Sequence, residues 1–162
     1  MAIEDTNNLG IDSAVYLNEG TYGSPDWLEL TCIRNVTPAT PWDKVLADSR
    51  ATRVKLYEHA QVDLQTSIEV LANFADTTYT PLFDAAVART KLDILVLAGK
   101  LTVEGSRGYR SHMLVSETGE TQGIGDVVYD TYELNPTYHS DGYPQSVVVG
   151  AAEAITMSPF GE

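Results

Sequence analysis

The chain has 162 residues, a single cysteine, 43% hydrophobic residues, and 10 Lys and Arg against 23 Asp and Glu, for a net charge of −13. That length suits one domain over residues 1–162 with a core of its own, and the apolar content argues against disorder. A lone cysteine excludes an internal disulfide, and the charge repels free DNA and anionic membranes.

The opening MAIEDTNNLG lacks the basic and apolar regions of a secretory signal. The longest apolar runs, near Ile94 and Val147, are too short to span a bilayer. A soluble cytoplasmic product with no membrane insertion is expected. Ser13 to Asn18 and Trp27 to Val36 read as strands separated by the turn formers of EGTYGSPD. Cys32, between Thr31 and Ile33 and close to Leu30, reads as a small buried hydrophobe. Thr37 to Arg50 carries two prolines and no strand alternation, so it reads as a long loop. Its Trp42 and opposite charges suit docking on a partner; Trp42 folding back on its own domain is the equal alternative.

Thr52 to Glu58 is expected to form a hairpin with Gln61 to Leu71. In the second of these, Val62, Leu64, Thr66, Ile68 and Val70 alternate with Asp63, Gln65, Ser67 and Glu69, giving one buried and one wet face. A helix follows: Thr80 is placed to cap it, Pro81 suits its first turn, and Leu82, Phe83, Ala86 and Val87 make an apolar stripe. Arg89 and Lys91 fall near its negative end. Leu92 to Ala98 is a buried strand closed by Gly99. Leu101 to Glu104 reads as extended, GSRGYR as a turn, His112 to Glu117 as a strand and Thr118 to Gly125 as a flexible connection. Val127 to Leu134 is a strand ended by Asn135 and Pro136, SDGYP is a turn, and Gln145 to Val149 and Ala154 to Met157 are the last strands. The fold class is mainly β, a sandwich or barrel-like arrangement with one short helix packed on it.

Few residues suggest chemistry. His59, His112 and His139 have no metal-ligand spacing, so no metal site is expected. Gly123-Ile124-Gly125 lacks the third glycine of a dinucleotide fingerprint and precedes a strand. Asp126, Asp130 and Glu133 offer a carboxylate pair only on paper, because acids on a wet strand face are ordinarily solvated. Asn35-Val36-Thr37 fits a glycosylation acceptor, a match without meaning in a chain that is not secreted. No enzyme and no cofactor is expected. All ten basic residues lie between Arg34 and Arg110 among nine acids, while six acids precede Arg34 and eight follow Arg110 with no base among them. Solubility explains such a field, and so does a role in an assembly.

Taken in order, NVTPAT at Asn35, ADSRATR at Ala47, LQTSIEVLANFADTTYTPLFDAAVARTKLDILVLAGK from Leu64, GSRGYRSHMLVSETGETQGIGDVVYDTYELNPTY from Gly105 and the Tyr143-Pro144 turn resemble the major tail tube proteins of long-tailed bacteriophages. The resemblance spans about two thirds of the chain, from Asn35 to Gln145. It implies a virion protein, made in the host cytoplasm, that assembles with itself into stacked hexameric rings and contacts other tail proteins. It further implies inner sheets closing into a bore through which double-stranded DNA passes without sequence-specific binding. Asp63, Gln65, Ser67 and Glu69 are the candidate lumen residues. Trp42, Asp43, Lys44, Asp48 and Arg50 are the candidate inter-subunit loop residues, and the chain ends are candidate inter-ring arms. Six chains at −13 carry −78 per ring, which gives passing DNA no counter-charge to stick to.

Two alternatives stand beside this reading. One is the inner tube of a contractile tail or injection system. The other, from a different class, is a monomeric carbohydrate-binding β-sandwich presenting Tyr129, Tyr132, Tyr138 and Tyr143.

Overall fold

A computed structural model describes residues 13–38, 44–46, 57–59, 64–121, 128–142 and 144–160. The described elements are β1 (Ala14–Asn18), β2 (Trp27–Glu29), β3 (Ile33–Pro38), β4 (Lys44–Leu46), β5 (Tyr57–His59), β6 (Thr66–Leu71), α1 (Thr80–Ala88), β7 (Lys91–Leu97), β8 (Arg107–Thr121), β9 (Tyr129–Pro136), β10 (Gln145–Val149) and β11 (Ile155–Pro159). One antiparallel sheet runs β2-β1-β7-β8-β9-β6-β3, with the β10–β11 hairpin joined to it through β8. β8 is shared: Arg107 to Arg110 pairs β10, while Met113 to Thr121 pairs β9. The chain is mainly β with one α-helix among the described residues, as its sequence indicates.

Strand alternation decides which way each side chain faces. Along β6 buried and half-buried residues alternate, with Thr66, Ile68 and Val70 inward. Along β9 Asp130, Tyr132 and Leu134 are the buried set. These inward residues join Leu82 and Ala85 of α1, Val15, Leu17, Leu30, Cys32, Ile94, Val96, Met113 and Val115 in the main core. A second core lies on the opposite side of β1 and β7, where Ala14, Tyr16, Leu95 and Leu97 pack against Val147 and Val149 of the hairpin. Strand β7 is thus covered on both faces, which explains why Ile94 to Leu97 reads as an unbroken apolar run. Where β7 and β8 approach, a Cβ on Gly108 would collide with the carbonyl of Val96, so this position admits only glycine without a shift of backbone.

Several sequence expectations are corrected. Trp27 to Val36 is two strands: the chain turns at Thr31 and Cys32, the Ile33 amide donating to the Leu30 carbonyl at 3.3 Å, and β2 and β3 end on opposite edges of the sheet. The described residues of the expected hairpin take other partners, since β5 pairs β4 and β6 lies between β3 and β9; residues 52–56 and 61–63 of that hairpin lie outside the described residues. The expected loop from Thr37 to Arg50 therefore contains a strand. Leu101 to Glu104 is turn instead of extended chain; of GSRGYR, Gly105 is a turn residue as expected, whereas Arg107 to Arg110, like the start of the expected connection at Thr118, belong to β8.

The helix also starts differently. No side chain caps it, and Thr80 is its first residue. The Thr80 hydroxyl donates to the Asp76 carbonyl at 3.3 Å, and the Asp76 carboxylate accepts the Thr78 amide and hydroxyl, each at 2.8 Å. Those two donors hold the Asp76 carboxyl below its usual range. Arg89 ends the helix in a left-handed conformation with φ 54°, whereas the Lys91 ammonium donates to the Tyr138 carbonyl at 2.6 Å, away from the helix end. Val87, assigned to the apolar stripe, is 70% exposed; Ala85 takes its place in the core.

Candidate functional site

The sheet has one face on the main core, and its other face is treated in two ways. Over β1 and β7 the hairpin covers it. Over β3, β6, β9 and the second part of β8 no described element covers it. Register places Thr37, Ser67, Glu133 and Ser116 in one cross-strand row, and Asn35, Glu69, Thr131 and Gly119 in the next. These residues are half-buried or exposed, short and polar, with two carboxylates and no cation among them. Glu69 and Glu133 sit diagonally across β6 and β9, about 7–8 Å apart at their Cα atoms by ordinary sheet geometry. Arg34, the extra residue of a bulge between Ile33 and Asn35, holds its guanidinium 4.6 Å from the Tyr129 ring centroid at the end of this face.

Of the candidate lumen residues, Ser67 and Glu69 stand on this polar face and Gln65 is half-buried just before β6. Asp63 lies outside the described residues. So do Trp42, Asp43, Asp48 and Arg50 of the candidate inter-subunit loop; of Lys44 the structure gives only its backbone place in β4, opposite His59. Sequence reasoning missed Glu133 and Thr131 as partners of Ser67 and Glu69, although the period of β9 contains that signal. β3 is an outer strand of the sheet, with no described strand on its far side. Among the described residues nothing pairs that edge, which adjoins the polar face.

Asp130 and Glu133 do not form a carboxylate pair. They point to opposite faces of β9, and Asp130 is buried, accepting the Tyr79 hydroxyl at 2.5 Å and the Tyr132 hydroxyl at 3.4 Å. Burial, then the bond to Asp130, pushes the Tyr79 phenol up to about 12, and burial pushes Tyr132 up as well. Of the four tyrosines of the carbohydrate-binding alternative, Tyr132 is fully buried and so unable to meet a glycan, Tyr129 lies under Arg34, Tyr138 is exposed, and Tyr143 lies outside the described residues.

Between the covered and bare parts of the outer face stands a polar seam. The Arg110 guanidinium binds both oxygens of Asp93 and donates to the Tyr22 carbonyl at 3.0 Å. It lies between the rings of Tyr22 and Trp27, 3.9 and 5.1 Å from their centroids. Asn18 Nδ2 donates to Asp93 at 2.8 Å. The column continues from Tyr22 to His112, with ring centroids 5.4 Å apart, and from His112 to His139 at 3.9 Å. Two histidines far apart in sequence therefore meet, because the Thr137 amide donates to the His112 carbonyl at 2.8 Å and brings the following turn onto β8. Burial holds the His112 imidazole below its ordinary value.

No protein-family model matches the chain, and no curated protein matches it in sequence. Among solved structures it is similar to the SPP1 tail tube, determined by solid-state NMR and cryo-EM, with a TM-score of 0.61 at 10% identity over 79% of this chain and 74% of that one. It is also similar to the tail of an empty GTA particle refined with C6 symmetry, with a TM-score of 0.62 at 9% identity over 93% of this chain and 98% of that one. Likeness at such low identity is likeness of fold: the chain has the tail tube fold.

Proposed function

We propose that this chain is a structural tail tube subunit that assembles with its own copies into stacked hexameric rings, with the polar face of β3, β6, β8 and β9 turned to the bore. The observation that carries the reading is a four-stranded polar face that no described element covers, ending at β3 with no described strand beyond it, on a fold shared with two tail tubes. A single subunit gains nothing from leaving so much sheet bare, whereas a ring continues the sheet across β3 and removes the edge. Short Ser, Thr and Asn side chains keep such a wall smooth. Glu69 and Glu133 make it weakly acidic, so a passing polyanion meets repulsion and no binding site. The role is mechanical, with no catalytic step; the subunit is made in the host cytoplasm, ends in the virion tail and meets other tail proteins there.

The residues around Trp42, Asp43, Lys44, Asp48 and Arg50 bridge neighbouring subunits in this reading. Electron microscopy of the concentrated protein is expected to show six-fold rings or tubes; a monomer at every concentration, including in assembled particles, would overturn the proposal. A chain lacking residues 42–48 is expected to remain folded by circular dichroism and to form no tubes.

A further inference from the structure

His112 on β8 and His139 and Asp141 on the turn before β10 each offer one ligand atom, and these atoms lie within 4.8 Å of one another. They line an open cleft of about 430 Å³ together with Asn18, Tyr22, Lys91 and Asp93. From this cluster we infer a binding site for a divalent transition-metal ion, for which Zn²⁺ is the probe.

The donor set selects the class of ion. Two imidazole nitrogens and one carboxylate oxygen suit Zn²⁺ and its neighbours in the first transition row, whereas Ca²⁺ and Mg²⁺ require an all-oxygen shell. Three protein ligands facing an open cleft leave a coordination position for water. Neighbouring charges are already paired: Asp93 is held by Arg110 and Asn18, and the Lys91 ammonium is turned onto the Tyr138 carbonyl. Asp141 is then the carboxylate left to face the ion. The Asp141 amide donates to His139 Nδ1 at 3.2 Å, which ties the two residues together, and an Asp141 carboxylate oxygen lies 3.2 Å from that nitrogen.

Tetrahedral coordination at zinc distances places ligand atoms ~3.4 Å apart with the ion in the plane of each ring, so entry of the ion turns His139 out of its stack on His112, where the ring planes are now 12° apart, and draws the cluster together. The required movement falls on the turn. His112 is buried and stacked between Tyr22 and His139, whereas His139 is half-buried and Asp141 exposed, on a turn closed by a single bridge between His139 and Gly142. A bound ion would fasten this turn to β8. The inference rests on the side-chain cluster alone and is independent of tube assembly.

The test uses the full chain after EDTA dialysis, titrated calorimetrically with ZnCl₂ and followed by thermal unfolding. One equivalent of Zn²⁺ is expected to bind and raise Tm, with perturbed imidazole NMR signals for His112 and His139. His139→Ala and Asp141→Asn, both at accessible positions, are expected to weaken binding at least about tenfold, while His59→Ala binds as the parent chain does. Absence of stoichiometric binding, equal binding by His139→Ala, or equal response to Mg²⁺ would overturn the assignment.

Discussion

Arg110 and Asp93 form a bidentate ion pair inside the protein, with Nη2 2.6 Å and Nε 3.0 Å from the carboxylate and side chains only 2% and 9% exposed. The guanidinium also touches the 19–26 segment through Tyr22 and the hairpin through Met157, so it ties three parts of the outer layer together. Removing one partner strands a buried charge. Arg110→Met or Asp93→Asn is expected to cost about 3–5 kcal/mol in urea unfolding, and the Arg110→Met, Asp93→Leu double variant much less than the sum of the two single changes. A strictly additive double variant would show that the pair is not coupled.

The helix offers a contrast within one element. Leu82 is fully buried, while Val87, five residues and so well over one turn further on, is 70% exposed. Leu82→Ala is expected to cost about 2–5 kcal/mol and Val87→Ser less than about 0.5 kcal/mol, read from denaturant midpoints of the isolated chain. Similar costs at both positions would contradict the packing of this helix.

Alkaline pH should loosen the core through Tyr79 and Tyr132. Both phenols titrate higher in the folded chain than in the unfolded one, Tyr79 at about 12, so the folded state retains protons that the unfolded state has lost. Their contribution is complete below about pH 10, the ordinary tyrosine value, and falls as pH rises toward 12. Absorbance titration near 295 nm is expected to show Tyr79 and Tyr132 among the tyrosines that ionise late, with unfolding. Phe at position 79, in Tyr79→Phe, should flatten this dependence while leaving the Asp130 carboxylate short of a donor at neutral pH.

Reversing the charge of the bare face tests its direction. Tubes carrying Glu69→Lys and Glu133→Lys are expected to retain duplex DNA at low salt, to release it at high salt, and to shield the bound duplex from nuclease. Retained DNA digested as fast as free DNA would place this face on the outside of the tube.

Much of this arrangement can be read from residue order, and the parts that cannot share a physical cause. The period of β6 separates Ser67 and Glu69 from Ile68 and Val70 because a pleat leaves no choice of face. The same period in β9 puts Asp130 inward. That placement looks wrong for an acid until Tyr79, distant in sequence, supplies its hydrogen bond. The break at Thr31 and Cys32 has neither glycine nor proline to mark it. Conversely, the glycine at 108 imitates a turn signal, although its role is to let two strands approach. The meeting of His112 with His139 depends on the β8–β9 register and on the turn beyond it, long-range facts that no spacing rule contains. Pairing partners fail for the same reason: β5 reads as the natural neighbour of β6, yet β6 lies between β3 and β9.

Strand β8 spans 15 residues, about 50 Å of extended chain at ordinary strand rise, and serves both the hairpin-covered half and the bare half of the sheet. A single girder common to two walls resists shear between them, since sliding one past the other would break both ladders at once. Any curvature that a filament of such units adopts is therefore taken up at the joints between units, leaving the profile of each unit unchanged.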